Sequence, residues 1–246
     1  MIELMKNQTD GYDFIIIGGG ATGIGIALET ISRGYKTLLV EKSDFTKSTS
    51  SKSTKLVHGG VRYLAQGDIA LVREACVERG RLLKNAPHLV KNQSFIIPTS
   101  GLFDELMYTV GLTFYVLLAG KYSLGRSLHI SKRRTLQRIP TLNPKKLSAG
   151  VIYHDGQFDD SRLAVNVLQT AAALGAHLMN YMEVEALTKD DAGKINGVRL
   201  HDVESNENYL IKGRAVINAT GVFADEVMQM DKPEMKKIIR PSQGVH

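Results

Sequence analysis

The stretch that most limits what this chain can fold into runs from Tyr12 to Lys42, YDFIIIGGGATGIGIALETISRGYKTLLVEK. An apolar run, Phe14 to Ile17, meets a glycine cluster; a helical pattern then ends at Gly34, and a second apolar run, Thr37 to Val40, ends at Glu41. That order predicts strand, tight turn, helix, strand. Gly18, Gly20 and Gly23 fit the dinucleotide fingerprint G-x-G-x-x-G, and each meets a steric need. Gly18 permits the sharp turn out of the strand, Gly20 lets backbone approach a pyrophosphate, and Gly23 lets the helix pack on the sheet. The helix N-terminus beyond Gly20 offers N–H groups and a positive dipole end to the same anion. Glu41, 18 residues after Gly23, can accept both hydroxyls of an adenosine ribose and would repel a 2′-phosphate, which disfavours NADP. The fingerprint alone leaves FAD and NAD both open.

Composition narrows the class. With 246 residues, 43% hydrophobic and 23% charged, the chain can bury one large or two small cores. The single cysteine, Cys76, excludes an internal disulfide, a dithiol redox centre or a cysteine-rich zinc site, and no metal site is expected. Cys76 itself reads as a buried helix residue. The start, MIELMKNQTDGYD, lacks a charged n-region followed by an apolar h-region and does not read as a secretory signal. A reducing cytoplasmic compartment is the simplest setting. The net charge of +6 suits an anionic partner: a phosphorylated substrate, a membrane surface or nucleic acid.

Between Glu41 and the first long helix lies SDFTKSTSSKSTKLVHGGVRYL, whose Ser48 to Thr54 portion composition alone would make a flexible linker. Asp68 to Lys84 is expected as a helix with Ile69, Val72, Cys76 and Leu83 on one face, stopped by Ala86-Pro87. A short strand, Ser94 to Pro98, precedes a helical stripe of Leu102, Leu106, Val110, Phe114 and Leu118. The uncharged part, Leu106 to Gly120, is 15 residues; a membrane span needs about 20, so spanning is not expected. Lys121 to Lys146 then holds eight basic residues and no acid. An apolar helix beside it suits contact with an anionic membrane surface, at ~1 kcal/mol per basic residue. A buried helix followed by a solvated basic loop fits the same residues. No aromatic array accompanies the charge, so nucleic acid is not expected.

Val151 to His154 is expected as a strand with a turn at Asp155-Gly156, and Asp160 as N-cap of a helix from Ser161 to Leu174, closed by Gly175. Glu183 to Lys189, Lys194 to His201 and Tyr209 to Lys212 read as an antiparallel meander. A buried strand, Ala215 to Asn218, enters Ala219-Thr220-Gly221, which places Gly221 beside the nucleotide crevice at the carboxyl end of the parallel sheet. The last helix starts near Phe223.

With these segments in place, the chain resembles the FAD-dependent glycerol-3-phosphate dehydrogenases, of the D-amino acid oxidase and glycine oxidase type. TSSKSTKLVHGGVRYL, Thr49 to Leu64, is similar to that family's signature, and APHL (Ala86 to Leu89), DDSRL (Asp159 to Leu163), VINATG and the terminal PSQGVH match further segments. The resemblance implies an α/β fold. Its parts would be a Rossmann-like FAD-binding domain with central parallel sheet and antiparallel β-meander, residues 1–95 and 150–230, and an incomplete α+β substrate or membrane-facing domain, residues 96–149 and 231–246. It implies FAD, with Thr49, Ser50, Ser53, Lys55, Gly59 and Gly60 near the flavin, Gly221 near its ribityl-phosphate part, and Arg62 with Tyr63 facing glycerol 3-phosphate. A guanidinium suits that phosphate because its fork is bidentate and always charged.

The reaction implied is oxidation of sn-glycerol 3-phosphate to dihydroxyacetone phosphate by hydride transfer to flavin N5, with electrons passed to a membrane quinone at the cytoplasmic face of an inner membrane. His58 and His246 are the candidate bases. Family members continue beyond the PSQGVH segment, so an N-terminal fragment is expected. The alternatives are a soluble oxidase using oxygen, an amine or amino acid oxidase of the same fold, and a catalytically incomplete nucleotide-binding fragment.

Overall fold

The structure, a computed structural model, describes Glu3, residues 10–242 and Gly244; the side chains of Arg62 and Ala65 fall outside that description. Among the described residues, ten strands and seven α-helices are numbered here along the chain. They form two compact units, Met1–Ser53 with Asp160–His246, and Thr54–Asp159.

The first unit is built on the Tyr12 to Lys42 stretch. β1 (Tyr12–Ile17), α1 (Ala21–Ser32) and β2 (Thr37–Val40) follow the expected order. α6 (Asp160–Ala173) and β7 (His177–Met179) lead into a meander of β8 (Met182–Lys189), β9 (Ile195–Asp202) and β10 (Asn208–Asn218), and α7 (Ala224–Asp231) closes the unit. The sheet runs β7-β2-β1-β10-β9-β8.

Period-two alternation splits the apolar strands between two cores. Ile16 and Leu39 pack with Ile24 and Ala27 of α1 and Ala164 and Leu168 of α6. Ile15, Ile17, Leu38 and Val40 point the other way, to Met182, Val184, Val198 and Leu200 of the meander and Val227 of α7.

Two features differ from expectation. Tyr209 to Lys212 and Ala215 to Asn218 are one strand: β10 pairs antiparallel with β9 over Asn208 to Lys212, then parallel with β1 from Gly213 to Asn218. The strand passes from one partner to the other without a break, at a glycine whose Cβ would lie 2.6 Å from Ile15 Cδ1. β7, only three residues, was not foreseen and pairs parallel with β2.

The second unit is a sheet of β3 (Leu56–Val57), β6 (Ala149–Phe158) and β4 (Val90–Thr99), with β5 (Leu128–Ser131) also on β6. α2 (Val61–Ala65), α3 (Ile69–Asn85), α4 (Leu102–Ala119) and α5 (Lys132–Arg138) complete it. The turn expected at Asp155-Gly156 does not form. β4 pairs with β6 along its whole length while β3 pairs with Gly156 and Gln157, so the strand runs straight through. For the same reason the units divide at residues 53/54 and 159/160 rather than at 95/96 and 149/150, which would cut this sheet.

Helix α4 resolves which of its faces is packed. Its buried residues are Leu112, Tyr115 and Ala119, the last two packed with Val72 and Cys76 of α3, whereas Leu102, Leu106 and Val110 of the predicted stripe are 84%, 65% and 61% exposed. Taken with Asp104 and Glu105 in its first turn as well as the uncharged part, the segment Leu102–Tyr122 is long and apolar enough to cross a membrane by length and composition.

Candidate nucleotide site

The carboxyl ends of β1, β2 and β10 converge on a crevice of about 850 Å³ lined by Gly18, Gly20, Glu41, Thr49, Ser50 and Gly221, among others. That volume is in the range of small-molecule and cofactor sites. A second concavity, about 600 Å³, lies at the opposite ends of the same strands against Tyr12, Asp13 and Arg214; α1 does not begin there.

The glycine turn is sterically obligatory. Gly18 has φ of +111°, and a Cβ there would sit 2.6 Å from the Ala219 carbonyl oxygen, so β1 and β10 close together only around a glycine. A Cβ on Gly23 would be 1.9 Å from Gly18 O, which brings the first turn of α1 flush against the end of β1. Gly23 therefore packs behind the crevice instead of lining it. Ile24 is the first amide bonded to a helix carbonyl, at Gly20 O (3.0 Å). Ser50 Oγ accepts from the Ala21 amide at 2.9 Å, so the 3-10 turn Thr49–Ser51 is seated on the helix start and is no linker. The Thr22 and Gly23 amides stay at the positive end of α1, where an anionic group is stabilised.

Glu41 is held in place. Its Oε2 accepts from the Gly19 amide at 2.7 Å and its Oε1 from the Ser43 amide at 2.9 Å; each oxygen keeps a second lone pair for a ribose hydroxyl. Several lining groups were not anticipated. Thr46, with φ of +63°, is buried and its amide donates to Gly19 O at 2.9 Å. Lys42 lies 4.9 Å from the Phe223 ring centroid. The segment Ile239 to Ser242 reaches the crevice, tied by Ile238 and Ile239 amides donating to the Asp225 carboxylate at 3.2 and 3.0 Å. No spacing rule ties a residue some 200 positions away to a glycine turn, so nothing in the pattern pointed to Arg240.

The remaining candidates separate. Ser53 turns to α6, its Oγ donating to Asp160 Oδ2 at 2.7 Å, and is not among the crevice-lining residues. Lys55, His58, Gly59, Gly60, Arg62 and Tyr63 belong to the second unit. There Lys55 has φ of +58°. Tyr63 is 40% exposed. Gly60 adopts φ of +78° and ψ of +43° as N-cap of α2. His58 Nδ1 accepts from the Gly60 amide at 3.2 Å, so neutral His58 carries its proton on Nε2 in this arrangement. The Arg62 side chain and all of His246 lie outside the described residues. Among the described residues no group of acids, histidines and cysteine could hold a metal ion.

A family model for FAD dependent oxidoreductases (DAO) matches residues 13–246. The chain belongs to that family. It is 42% identical over 99% of its length to the mitochondrial glycerol-3-phosphate dehydrogenase of Rattus norvegicus, and 43% identical over 92% to that of Saccharomyces cerevisiae. It spans 35% and 36% of those proteins, about a third of each. The glycerol-3-phosphate dehydrogenase of Bacillus halodurans complexed with FAD superposes with a TM-score of 0.72 at 31% identity, over 94% of this chain and 38% of that one. The FAD-bound L-alpha-glycerophosphate oxidase of Mycoplasma pneumoniae shares the fold, with a TM-score of 0.61 at 22% identity, over 87% of this chain and 55% of that one. FAD is the cofactor of this family, and the crevice fits its adenosine and pyrophosphate: a glycine cradle closed to any Cβ at Gly18, a helix N-terminus, and an anchored carboxylate at Glu41.

Proposed function

We propose that this chain forms the FAD-binding part of a glycerol-3-phosphate dehydrogenase that oxidises sn-glycerol 3-phosphate to dihydroxyacetone phosphate and passes the electrons to a membrane quinone. The observation behind this reading is the glycine-walled crevice in a chain 42% identical to such dehydrogenases. Gly18 and Gly20 with the α1 N-terminus would hold the pyrophosphate, Glu41 the ribose, and Thr49, Ser50 and Gly221 the flavin-side half. FAD, when bound, supplies the hydride acceptor, its N5, for the C2 carbinol.

The protein's own work is to bind, orient and deprotonate. Lys55, Gly59 and Gly60 are assigned to the flavin through their signature segment, and Arg62 with Tyr63 to the substrate phosphate. A guanidinium there offers two parallel hydrogen bonds at any working pH. His58 is the candidate base; with Nδ1 engaged by the Gly60 amide, it takes the hydroxyl proton only once that amide releases it. His246 is the second candidate.

The test is the absorbance spectrum of the purified protein before and after glycerol 3-phosphate without oxygen. A yellow protein that bleaches supports the reading, and Arg62→Ala should then raise KM about 10- to 100-fold with a smaller change in kcat. Equal bleaching by glycine or D-alanine would assign an amino acid oxidase instead. A folded, colourless protein would mark these residues as a catalytically incomplete piece, and hydrogen peroxide release would replace quinone by oxygen.

An anionic membrane surface is the second partner. The exposed Leu102, Leu106 and Val110 face of α4 is followed by Lys121, Arg126 and the exposed Lys132, Arg133 and Arg134 of α5. Apolar insertion into headgroups combined with cationic flanks suits a helix lying in the interface, and Asp104 and Glu105 in its first turn disfavour a span. Failure to pellet with anionic liposomes would remove this partner and leave the chemistry standing.

A further inference from the structure

The proposed chemistry leaves one buried polar cluster unused. Arg79 of α3, Tyr115 of α4 and Asp155 of β6 are 1%, 1% and 2% exposed. Arg79 Nη1 donates to Asp155 Oδ1 at 2.8 Å and to the Tyr115 hydroxyl at 2.7 Å, and that hydroxyl donates to Asp155 Oδ2 at 3.2 Å. Asp155 Oδ1 also accepts the amides of Gly59 and Gly156 at 3.1 and 3.2 Å. Arg79 Nη2 reaches the Tyr122 carbonyl at 3.3 Å. Burial works against the Arg79 charge, but the Tyr115 hydroxyl and the Asp155 carboxylate outweigh it and hold the guanidinium above its usual range.

Such a cluster is a costly way to gain stability, because two ions must leave water and be fully satisfied. Arg79 Nε in fact finds no partner among the described residues. What the cluster does secure is one backbone amide in a loop with no slack. A Cβ on Gly59 would stand 2.2 Å from the Tyr115 hydroxyl and 2.5 Å from Cys76 Sγ. The next residue, Gly60, makes the left-handed turn from which α2 starts, and Arg62 and Tyr63 are the second and third residues of that helix.

We propose that Asp155, held by Arg79 and Tyr115, is a positioning residue: by fixing the Gly59 amide it sets where α2 begins, and so where Arg62 and Tyr63 meet the substrate phosphate. The substrate half rests on the glycerol 3-phosphate reading; the loop-holding half does not.

Cys76 provides a readout independent of activity. It is the sole cysteine, is fully buried, has its sulfur 3.9 Å from the Gly59 carbonyl oxygen, and burial pushes its thiol up. A loosened Gly59 loop uncovers it. Asp155→Asn keeps an oxygen for the amide but removes the charge that holds Arg79. Labelling of Cys76 in the folded protein by an aromatic disulfide should become about tenfold faster, and KM for glycerol 3-phosphate about tenfold higher with kcat within about twofold. Tyr115→Phe, which removes one hydroxyl, should shift both in the same direction by less, and Asp155→Glu should recover part of each.

The control is Leu147→Ala, a buried apolar truncation just ahead of β6, compared after its loss of thermal midpoint is measured. It should leave labelling and KM near wild type. If it matches Asp155→Asn in both, or if Tyr115→Phe labels like wild type, the positioning role is overturned. Should Asp155→Asn not fold, the Tyr115→Phe labelling rate decides. If glycerol 3-phosphate fails to bleach the wild-type protein, the functional reading falls, while faster labelling in the variants still establishes the hold on Gly59.

Discussion

Two glycine turns, Gly18 to Gly23 and Gly59-Gly60, are held by different physics. At the first, the constraint is steric and local: Gly23 and Gly18 are five residues apart, and a methyl group has no room between them. Apolar strands on either side complete it. At the second, sterics from Tyr115 and Cys76 are joined by an electrostatic and remote constraint, since the Gly59 amide is held by a carboxylate 96 residues away, itself paired with a guanidinium 76 residues away. A turn built by sterics announces itself in spacing. A turn built by converging charges does not.

The largest effect should come from breaking the second turn. Arg79→Ala leaves Asp155 charged and buried without its partner, a change that costs about 3–5 kcal/mol in comparable pairs. Replacing both members by apolar residues of similar size, Arg79→Met with Asp155→Leu, should recover most of that stability, measured by chemical unfolding, because packing substitutes for the pair. The same double variant should still label quickly at Cys76, since no carboxylate remains for Gly59. Recovery of stability together with slow labelling would mean that packing alone places the loop, and the contrast between the turns would collapse.

Next is the first turn. Gly23→Ala drives a methyl into Gly18 O, and either α1 moves off β1 or the backbone strains, at about 1–3 kcal/mol. Any shift displaces the Thr22 and Gly23 amides from the anion site, so FAD affinity should fall about tenfold or more, read by flavin fluorescence on titration. Unchanged affinity would mean that the crevice is not held by sterics.

The same contrast explains what could be read from the sequence. β1, α1 and β2 were legible to within two residues, as was the buried environment of Cys76, because spacing, apolar runs and glycine chemistry all lie within one short window. β6 was read as a short strand ending in a turn, since Asp-Gly is a turn signal locally; two neighbouring strands override it. Arg79 sits in register with Val72 and Cys76 on the buried face of α3, and a charged residue at that spacing was the one available signal for the cluster. The α4 stripe gave the helix but left its cover open for a related reason: periodicity locates an apolar face but not what covers it, and Leu112, Tyr115 and Ala119 took the packed side. β7 was too short to show any period.

The smallest predicted effect concerns a polar contact inside the sterically built unit. Tyr12 of β1 and His177 of β7 flank β2, with the Tyr12 hydroxyl 2.6 Å from His177 Nδ1 and the rings edge-on at 5.6 Å. Burial holds His177 below its usual range, so below about pH 6.5 the unfolded chain binds a proton that the folded one resists, and stability falls as pH drops through that window. Burial also pushes Tyr12 up to about 12; its contribution is complete below the usual tyrosine value of about 10 and is lost as pH rises toward the folded one. The thermal midpoint should therefore be flat between these edges. His177→Gln keeps an acceptor for the Tyr12 hydroxyl but cannot titrate, and should remove the acid slope between pH 7 and 5 while leaving the alkaline one. A slope that survives this substitution would place the acid sensitivity elsewhere than at this contact on the edge of the sheet.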